Sequence, residues 1–463
     1  MSKIGIVIAD GVGYRNFILS DFIKEAVKEY DEVVIYSGLI ADVYTHLKFK
    51  NLYVRELDIF REKKNTWFYR KLKEVAHMKK HLSFFGIKTS YNNGKPEKIN
   101  TPTSFLIYLA YIITKFFHSE KNIAFYEKLQ FNTFKNNNIY IKYRDFLVED
   151  KPDSLIFTHQ RPYNLSPLLY AAQRLDIKTL SFIFSWDNLS SKGRMLGEFD
   201  GYLVWSDIMK KELKYFYPNT NSEKIFVVGT PQFETYVIDK YASDSNYFYN
   251  TFNLDKSKKT ICYSCGDVST SKLDPLYIEI IAKGIVSKEI EGVNFLVRTS
   301  PAEDESRFKD IIEKYPNIKW NFPNWELTRD NHVETWSQRV PSEKDLINLR
   351  SILMHCNLNI NMCSTMSLDF MLFDKPVINI ALGNEHNGLY NDQKYLNYNH
   401  YDKVVKSNAV EIIKLESNFY EAINESLINP KIRFKEQQEL IKFEIGAPLK
   451  DTSKRIIKAM KTI

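Results

Sequence analysis

A chain of 463 residues, 44 % hydrophobic and 26 % charged, is longer than one hydrophobic core usually serves and has the make-up of a folded globular protein. A net charge of +7 over this length, with no recognised binding motif beside it, argues against a nucleic-acid partner, and four cysteines are too few for a disulfide framework. With no secretory pattern ahead of the first strand, the expected compartment is the cytoplasm.

The first strand, KIGIVIAD, runs into GVGYRN and then an amphipathic helix over about 16–30, and EVVIYS follows as a second strand. Residues 55–150 read as a mostly helical insertion with two distinctive segments. One places Arg61, Lys63, Lys64, Arg70, Lys71, Lys73, Lys79 and Lys80 around Trp67, Phe68, Leu72, Val75 and Leu82. At helical spacing this gives an apolar stripe flanked by cations, suited to docking on the domain or to peripheral contact with an anionic membrane. The other, FLIYLAYIITKFF from Phe105 to Phe117, is too short to span a bilayer and contains Lys115, so it reads as an interfacial or buried helix.

Regular alternation then resumes with strand SLIFT, helix LSPLLYAAQRL, strands TLSFIF and GYLVW, helix DIMKKELKYF and strand KIFVVG. A polar, aromatic stretch after Gly229 reads as a linker. A second series follows: TICYSC, a helix over about 275–288, VNFLVRT, IKWNF, EKDLINLRSILMHC, LNINM, a helix from Ser364 and the strand VINI. Short apolar strands alternating with helices predict an α/β protein with two Rossmann-like, doubly wound domains facing a cleft. Residues 1–235 form the first domain, with its insertion at about 55–150, and residues 236–445 the second. The amphipathic segment in 446–463 is a C-terminal helix that could pack back on the first domain.

In such sheets ligands sit beyond the carboxyl ends of the strands, where helix N-termini point. A helix starting at Ser364 would offer backbone N–H groups and a partial positive charge, which makes Ser364 and Thr365 candidate diphosphate ligands. Asp369, one turn on, could accept hydrogen bonds from ribose hydroxyls. The same residue types are also ordinary helix caps.

The stretches CSTMSLDFMLFDKPVINI, FSWDNLSSKG, FVVGTPQFE and NFLVRTSP, in this order and spacing, resemble the GT-B type glycosyltransferases of bacterial surface polysaccharide biosynthesis. They are more distantly similar to CDP-glycerol glycerophosphotransferases and UDP-GlcNAc 2-epimerases. The resemblance implies a nucleotide-sugar donor held by the second domain, a glycan or lipid-linked acceptor held by the first, and no obligatory metal or other cofactor. It gives Ser364, Thr365 and Asp369 the donor's phosphates and ribose, and Arg298 a phosphate contact, although RTSP stands where the family often has an arginine before His-Pro. Ser264 and Gly266, ending their strand in YSCGD, would border the donor.

Transfer also needs a base on the acceptor side. Asp187, then His159, then Asp10 are the candidates, each at a predicted strand end. Gly11 and Gly13 allow close approach of an acceptor or phosphate. In SWDNLSSKGR, Trp186 could stack on a sugar, Asn188 line the acceptor site, and Lys192 and Arg194 meet phosphate. An Asx turn with solvent-facing cations is the competing reading. His400, Glu385 and His386 are further candidates near the donor. Cys262 and Cys265 fall on a strand and read as core residues, and His77 and His81 as surface. The absence of a D-x-D pair argues against a metal-dependent GT-A enzyme. The remaining alternatives are a glycerophosphotransferase, a nucleotide-sugar 2-epimerase, or a non-catalytic nucleotide-binding or membrane scaffold protein.

Overall fold

The computed structural model describes residues 2–332, 334–383 and 391–463, which divide into two compact units. The first comprises Met1–Glu234, Leu327–Val340 and Gly446–Ile463, the second Thr235–Glu326 and Pro341–Ile445. Glu385 and His386 lie outside the described residues.

The first unit is built on seven parallel strands: β1 (Lys3–Ile8), β2 (Glu32–Ser37), β3 (Leu52–Glu56), β4 (Ser154–Phe157), β5 (Lys178–Phe182), β6 (Gly201–Val204) and β7 (Ile225–Val227). Their order is β3-β2-β1-β4-β5-β6-β7, with Ile4 to Val7 of β1 in register with Ser154 to Phe157 of β4. Strand order therefore reverses direction between β1 and β4, and the loops leaving these two strands diverge to opposite faces of the sheet. The central strands are nearly continuous buried runs, as a sheet covered on both faces requires.

After β1 the chain makes two helices, Gly11–Phe17 and Phe22–Glu29, rather than the single one expected over 16–30. Asp10 caps the first at its own N-terminus, and the Ser20 hydroxyl accepts from the Phe22 amide where the second begins. At the far end of the chain, helix Thr452–Met460 is held to this unit, where the Ser453 amide donates to the buried Glu234 carboxylate at 2.9 Å.

The insertion forms helices Lys64–Lys80, Phe85–Asn93, Pro102–Phe116, Glu120–Asn132 and Asn138–Asp150. Leu72, Ala76, Ala110, Ile123 and Tyr126 make a core shared by the first, third and fourth of these. Of the two readings of the basic segment, docking on the domain is the one the structure supports, because the apolar side of helix Lys64–Lys80 is buried in the insertion. Arg70 pairs with Glu62 and Glu74, Lys80 with Glu120, and the fully buried Lys73 with Glu127 and the Leu196 carbonyl. His77 and His81 are likewise buried, against Phe216 and Tyr217. Burial first, then the Arg194 charge, pushes the His77 pKa well below its ordinary value, and burial lowers His81 to about 4.

The second unit carries six parallel strands: β8 (Lys259–Ser264), β9 (Val293–Arg298), β10 (Lys319–Asn321), then, past the short pair β11 (Trp325–Leu327) and β12 (Arg339–Pro341), β13 (Leu358–Asn361), β14 (Val377–Ile380) and β15 (Glu411–Ile413). The order β10-β9-β8-β13-β14-β15 reverses between β8 and β13. Ile261, Tyr263, Val297, Ile360 and Ile378 lie in its core. The stretch expected to be a linker folds onto this unit. Helix Ser245–Phe252 buries Phe248 and Phe252, the Tyr247 hydroxyl donates to Asn348 at 2.7 Å, and Arg350 donates to the Ile238 carbonyl at 2.6 Å.

Candidate functional site

Asp10 follows β1 and His159 follows β4, so adjacent strands bring together two residues 149 positions apart at the reversal point of the first sheet. His159 Nδ1 lies 2.9 Å from Asp10 Oδ2, while Asp10 Oδ1 accepts the Gly13 amide at 2.7 Å. The carboxylate is thus fixed from both sides. With Asp10 ionised, Nδ1 carries the proton and donates it to Oδ2, which leaves the lone pair on Nε2. Nε2 makes no hydrogen bond among the described residues. The Phe184 ring stacks on the imidazole at 3.9 Å and 13°, which sets its plane. Both residues are nearly buried, at 1 % exposure for Asp10 and 8 % for His159.

Behind this pair, Thr158 Oγ1 donates to the Val7 carbonyl, Gln160 Nε2 donates to Asn188 Oδ1, and Gln160 Oε1 accepts from the Phe184 amide. Gln160 and Asn188 therefore clamp the loops after β4 and β5 together, and Asn188 is a bracing residue of the site. Arg161, on the same loop as His159, makes no hydrogen bond or ion pair among the described residues, and its Nε is buried without a partner. Burial would raise the Glu74 carboxyl, but Arg70 and then Lys71, with a smaller share from Arg161, hold it down to about 2. Gln160, Phe184 and Arg161 went unmarked in the sequence, although FTHQRPYN places three consecutive polar groups at a strand end.

The other first-unit candidates have different duties. Asp187, first in the sequence ranking, accepts from the Asn188 side-chain amide at 3.0 Å and from Ser191 Oγ at 3.1 Å, two side-chain bonds that tie down its own loop. Trp186 is buried, with no open ring face for a sugar. Arg194 is buried too; it pairs with Glu120 at 3.1 Å and lies over the Tyr217 ring at 4.2 Å, so its charge is matched inside the insertion rather than presented to phosphate. Lys192 stands exposed. A Cβ at Gly11 would collide with the Arg339 carbonyl, and one at Gly13 would press on Thr158 Oγ1, so both glycines accommodate close protein neighbours.

In the second unit the residues named for the donor gather at the other reversal point, where β8 and β13 end side by side. The helix there is Met366–Met371, shorter and later than the expected start at Ser364. Cys363 turns the chain toward it at φ +50°, a left-handed conformation uncommon for a residue with a Cβ. The Ser364 amide already donates to Asn361 Oδ1 at 2.9 Å, and the Met366 amide to Ser364 Oγ at 3.2 Å, so part of the helix tip is capped from within. Ser364 and Thr365 are half-buried. Asp369 is buried and accepts the Tyr236 hydroxyl. Arg298 is buried against Asp345, one guanidinium nitrogen donating to both carboxylate oxygens at 3.0 and 3.1 Å, with Asn321 on the other nitrogen and the Trp325 indole on the same carboxylate. That pairing matches its charge and accounts for Arg298 without a phosphate.

A ladder of buried amides underlies this end of the sheet. Asn359 donates to Ser264 Oγ at 2.8 Å, Asn361 to Asn359 at 2.7 Å, and Asn379 to Asn361 at 3.0 Å, with Ser367 and Tyr401 completing the set. Asparagines at alternate positions of a buried strand, as in LNIN, are the signal that marks it. Asp274 accepts from Tyr263 at 2.6 Å and from the Gly266 amide at 3.0 Å, which fixes the loop after β8. Burial raises its pKa to about 7 despite these donors and Arg307. His400 stands near Tyr398 and Tyr401.

Two Rossmann-like units, each a parallel sheet with one reversal point, together with the solved structures the chain resembles, define the GT-B fold. The UDP-GlcNAc 2-epimerase of Methanocaldococcus jannaschii superposes with a TM-score of 0.54 at 12 % identity, over 100 % of both chains. The UDP-GlcNAc 2-epimerase of Neisseria meningitidis, solved with UDP-GlcNAc bound, gives 0.54 at 11 % identity over 100 % of both chains. A glycosyltransferase from Rickettsia africae gives 0.50 at 11 % identity, over 100 % of this chain and 98 % of its own. At such identities the likeness is one of fold. No protein-family model and no curated protein matches the chain.

Proposed function

We propose that the chain is a glycosyltransferase that moves a sugar from a nucleotide-sugar donor to a hydroxyl of a glycan or lipid-linked acceptor, in the assembly of a bacterial surface polysaccharide. The observation that carries this reading is the Asp10–His159 pair at the β1/β4 reversal point, a ring nitrogen held in the basic tautomer at the place where such sheets bind ligands. In the proposed step the acceptor O–H gives its proton to His159 Nε2 as its oxygen bonds to the anomeric carbon. The bond from that carbon to the phosphate oxygen breaks, and the nucleoside diphosphate leaves with the electron pair. Asp10 stabilises the imidazolium, and Arg161 meets an anionic group of the substrate. Ser364, Thr365 and the Ser264–Gly266 turn are assigned to the donor, as the resemblance of CSTMSLDF and the second reversal point support, and the reaction is taken to need no metal.

A second reading, nucleotide-sugar 2-epimerase, is supported by what the full-length structural neighbours are named for; in it the same imidazole moves the proton at sugar C2. One experiment separates the two. The protein is incubated in D₂O with a panel of UDP-, GDP-, CDP- and dTDP-sugars, with and without a glycan acceptor. Nucleoside diphosphate released only with acceptor supports transfer. Deuterium at C2 without acceptor supports epimerisation and overturns transfer. Neither outcome in folded protein overturns both.

A further inference from the structure

Helix Pro102–Phe116 is started by a capping box between Thr101 and Ser104 with Pro102 at its first position, so its register is fixed. Its inner face, with Ala110, Tyr111 and Thr114 buried, packs on the insertion core. Its outer face is apolar and solvent-exposed in part. Phe105, Tyr108, Ile112 and Phe116, at i, i+3, i+7 and i+11, form one stripe, and Phe117 and, on the next helix, Phe125 are exposed as well. Their exposure runs from 36 % at Tyr108 to 70 % at Phe116. A run of this kind on a water-facing helix marks an interaction surface rather than ordinary surface scatter.

Charge identifies the occupant. Lys95, Lys98, Lys115 and Lys121 flank the stripe, all exposed and none in an ion pair among the described residues. Between Lys95 and Glu120 the one acidic residue is the exposed Glu97, set between Lys95 and Lys98, and Glu120 is itself neutralised by Lys80 and Arg194. Aromatic and aliphatic side chains rimmed by unmatched lysines complement an anionic bilayer surface, where rings enter the headgroup boundary and lysines meet phosphate. The helix has 15 residues, about 22 Å at 1.5 Å per residue against a hydrocarbon core of about 30 Å, so it lies in the interface and does not span it. No helix among the described residues is long and apolar enough to cross a membrane. We infer that the outer face of helix Pro102–Phe116 is a membrane-docking surface that seats the first unit on anionic lipid. The inference does not rest on the nucleotide-sugar reading, since the surface lies on the insertion and its test needs no turnover.

The test is flotation of the full chain with vesicles of phosphatidylcholine alone or mixed with phosphatidylglycerol. Binding to the mixed vesicles is expected to fall at least about tenfold in the triple variant Phe105→Ser, Ile112→Ser, Phe116→Ser, and comparably in Lys95→Glu, Lys98→Glu, Lys115→Glu. The thermal midpoint should stay within a few degrees, because Phe105, Ile112 and Phe116 are exposed and lie outside the insertion core. Lys63→Ala with Lys64→Ala, at the start of the buried helix Lys64–Lys80, should leave flotation unchanged. Wild-type protein that fails to float with anionic vesicles overturns the inference. So does a triple variant that floats like wild type, or a wild-type self-association abolished by the triple variant without any vesicle binding, which would assign the face to a second copy of the chain.

Discussion

Replacing Asp10 by asparagine perturbs the proposed base while sparing the fold. Asparagine caps a helix about as well as aspartate, so the bond from the Gly13 amide can survive, and the loss of stability should stay under about 1 kcal/mol. The contact to His159 changes in kind. A side-chain amide in place of the carboxylate, facing Nδ1 as a donor, would move the ring proton to Nε2, the atom that must be free to accept the acceptor's proton. General-base assistance contributes about 10²- to 10⁴-fold, equivalent to roughly 3–5 kcal/mol of barrier. Asp10→Asn is therefore expected to lower kcat by at least about 10²-fold, with its first unfolding midpoint within about 2–4 °C of wild type. Asp10→Ala should lose comparable activity and also stability, because the cap disappears with the base's partner. The assay is nucleoside diphosphate release at saturating donor, alongside thermal melts of all three proteins. An Asp10→Asn variant with wild-type kcat, or one whose loss merely tracks a collapse of its midpoint, would refute the reasoning.

Arg161→Ala should raise KM for an anionic substrate with little change in melting, since the guanidinium makes no bond whose loss would unfold the loop; an unchanged KM argues that the side chain faces no ligand. Arg298→Ala should instead destabilise the second unit by about 3–5 kcal/mol by stranding Asp345, read as a lowered midpoint in the absence of any ligand. Asp274 makes stability depend on pH: its folded pKa of about 7 lies above the unfolded value, so the native state binds the extra proton and stability falls as pH rises from about 4 to 7. Asp274→Asn should flatten that slope in midpoints measured across the range, and an unaltered slope would place the linkage elsewhere. Activity should persist in EDTA; its loss, restored by a divalent cation, would contradict the metal-free reaction.

The residues that set the fold were legible because burial on both faces of a parallel sheet leaves uninterrupted apolar runs such as IGIVI and SLIF, and the alternation of strand and helix then dictates the layers. Asp10 and His159 could be named separately, as polar groups at strand ends. Their pairing could not, because it depends on β4 lying beside β1 after a long insertion. Charge was the least legible property. Arg70, Lys73, Arg194 and Arg298 look like surface or ligand-binding cations in sequence, yet each is matched by a carboxylate from a distant or facing segment. Composition shows how many charges there are and not which of them are already answered. The short helix tip at Met366 was overread for a related reason, because the Asn361 side chain that caps Ser364 comes from the preceding strand and resembles core filler.

The most direct test of the central claim is nucleoside diphosphate release from the nucleotide-sugar panel by wild-type protein and by His159→Ala, with acceptor present. The account predicts that wild type turns over one donor and that His159→Ala, melting like wild type, is slower by at least about 10²-fold. A His159→Ala protein that releases the diphosphate as fast as wild type would contradict it.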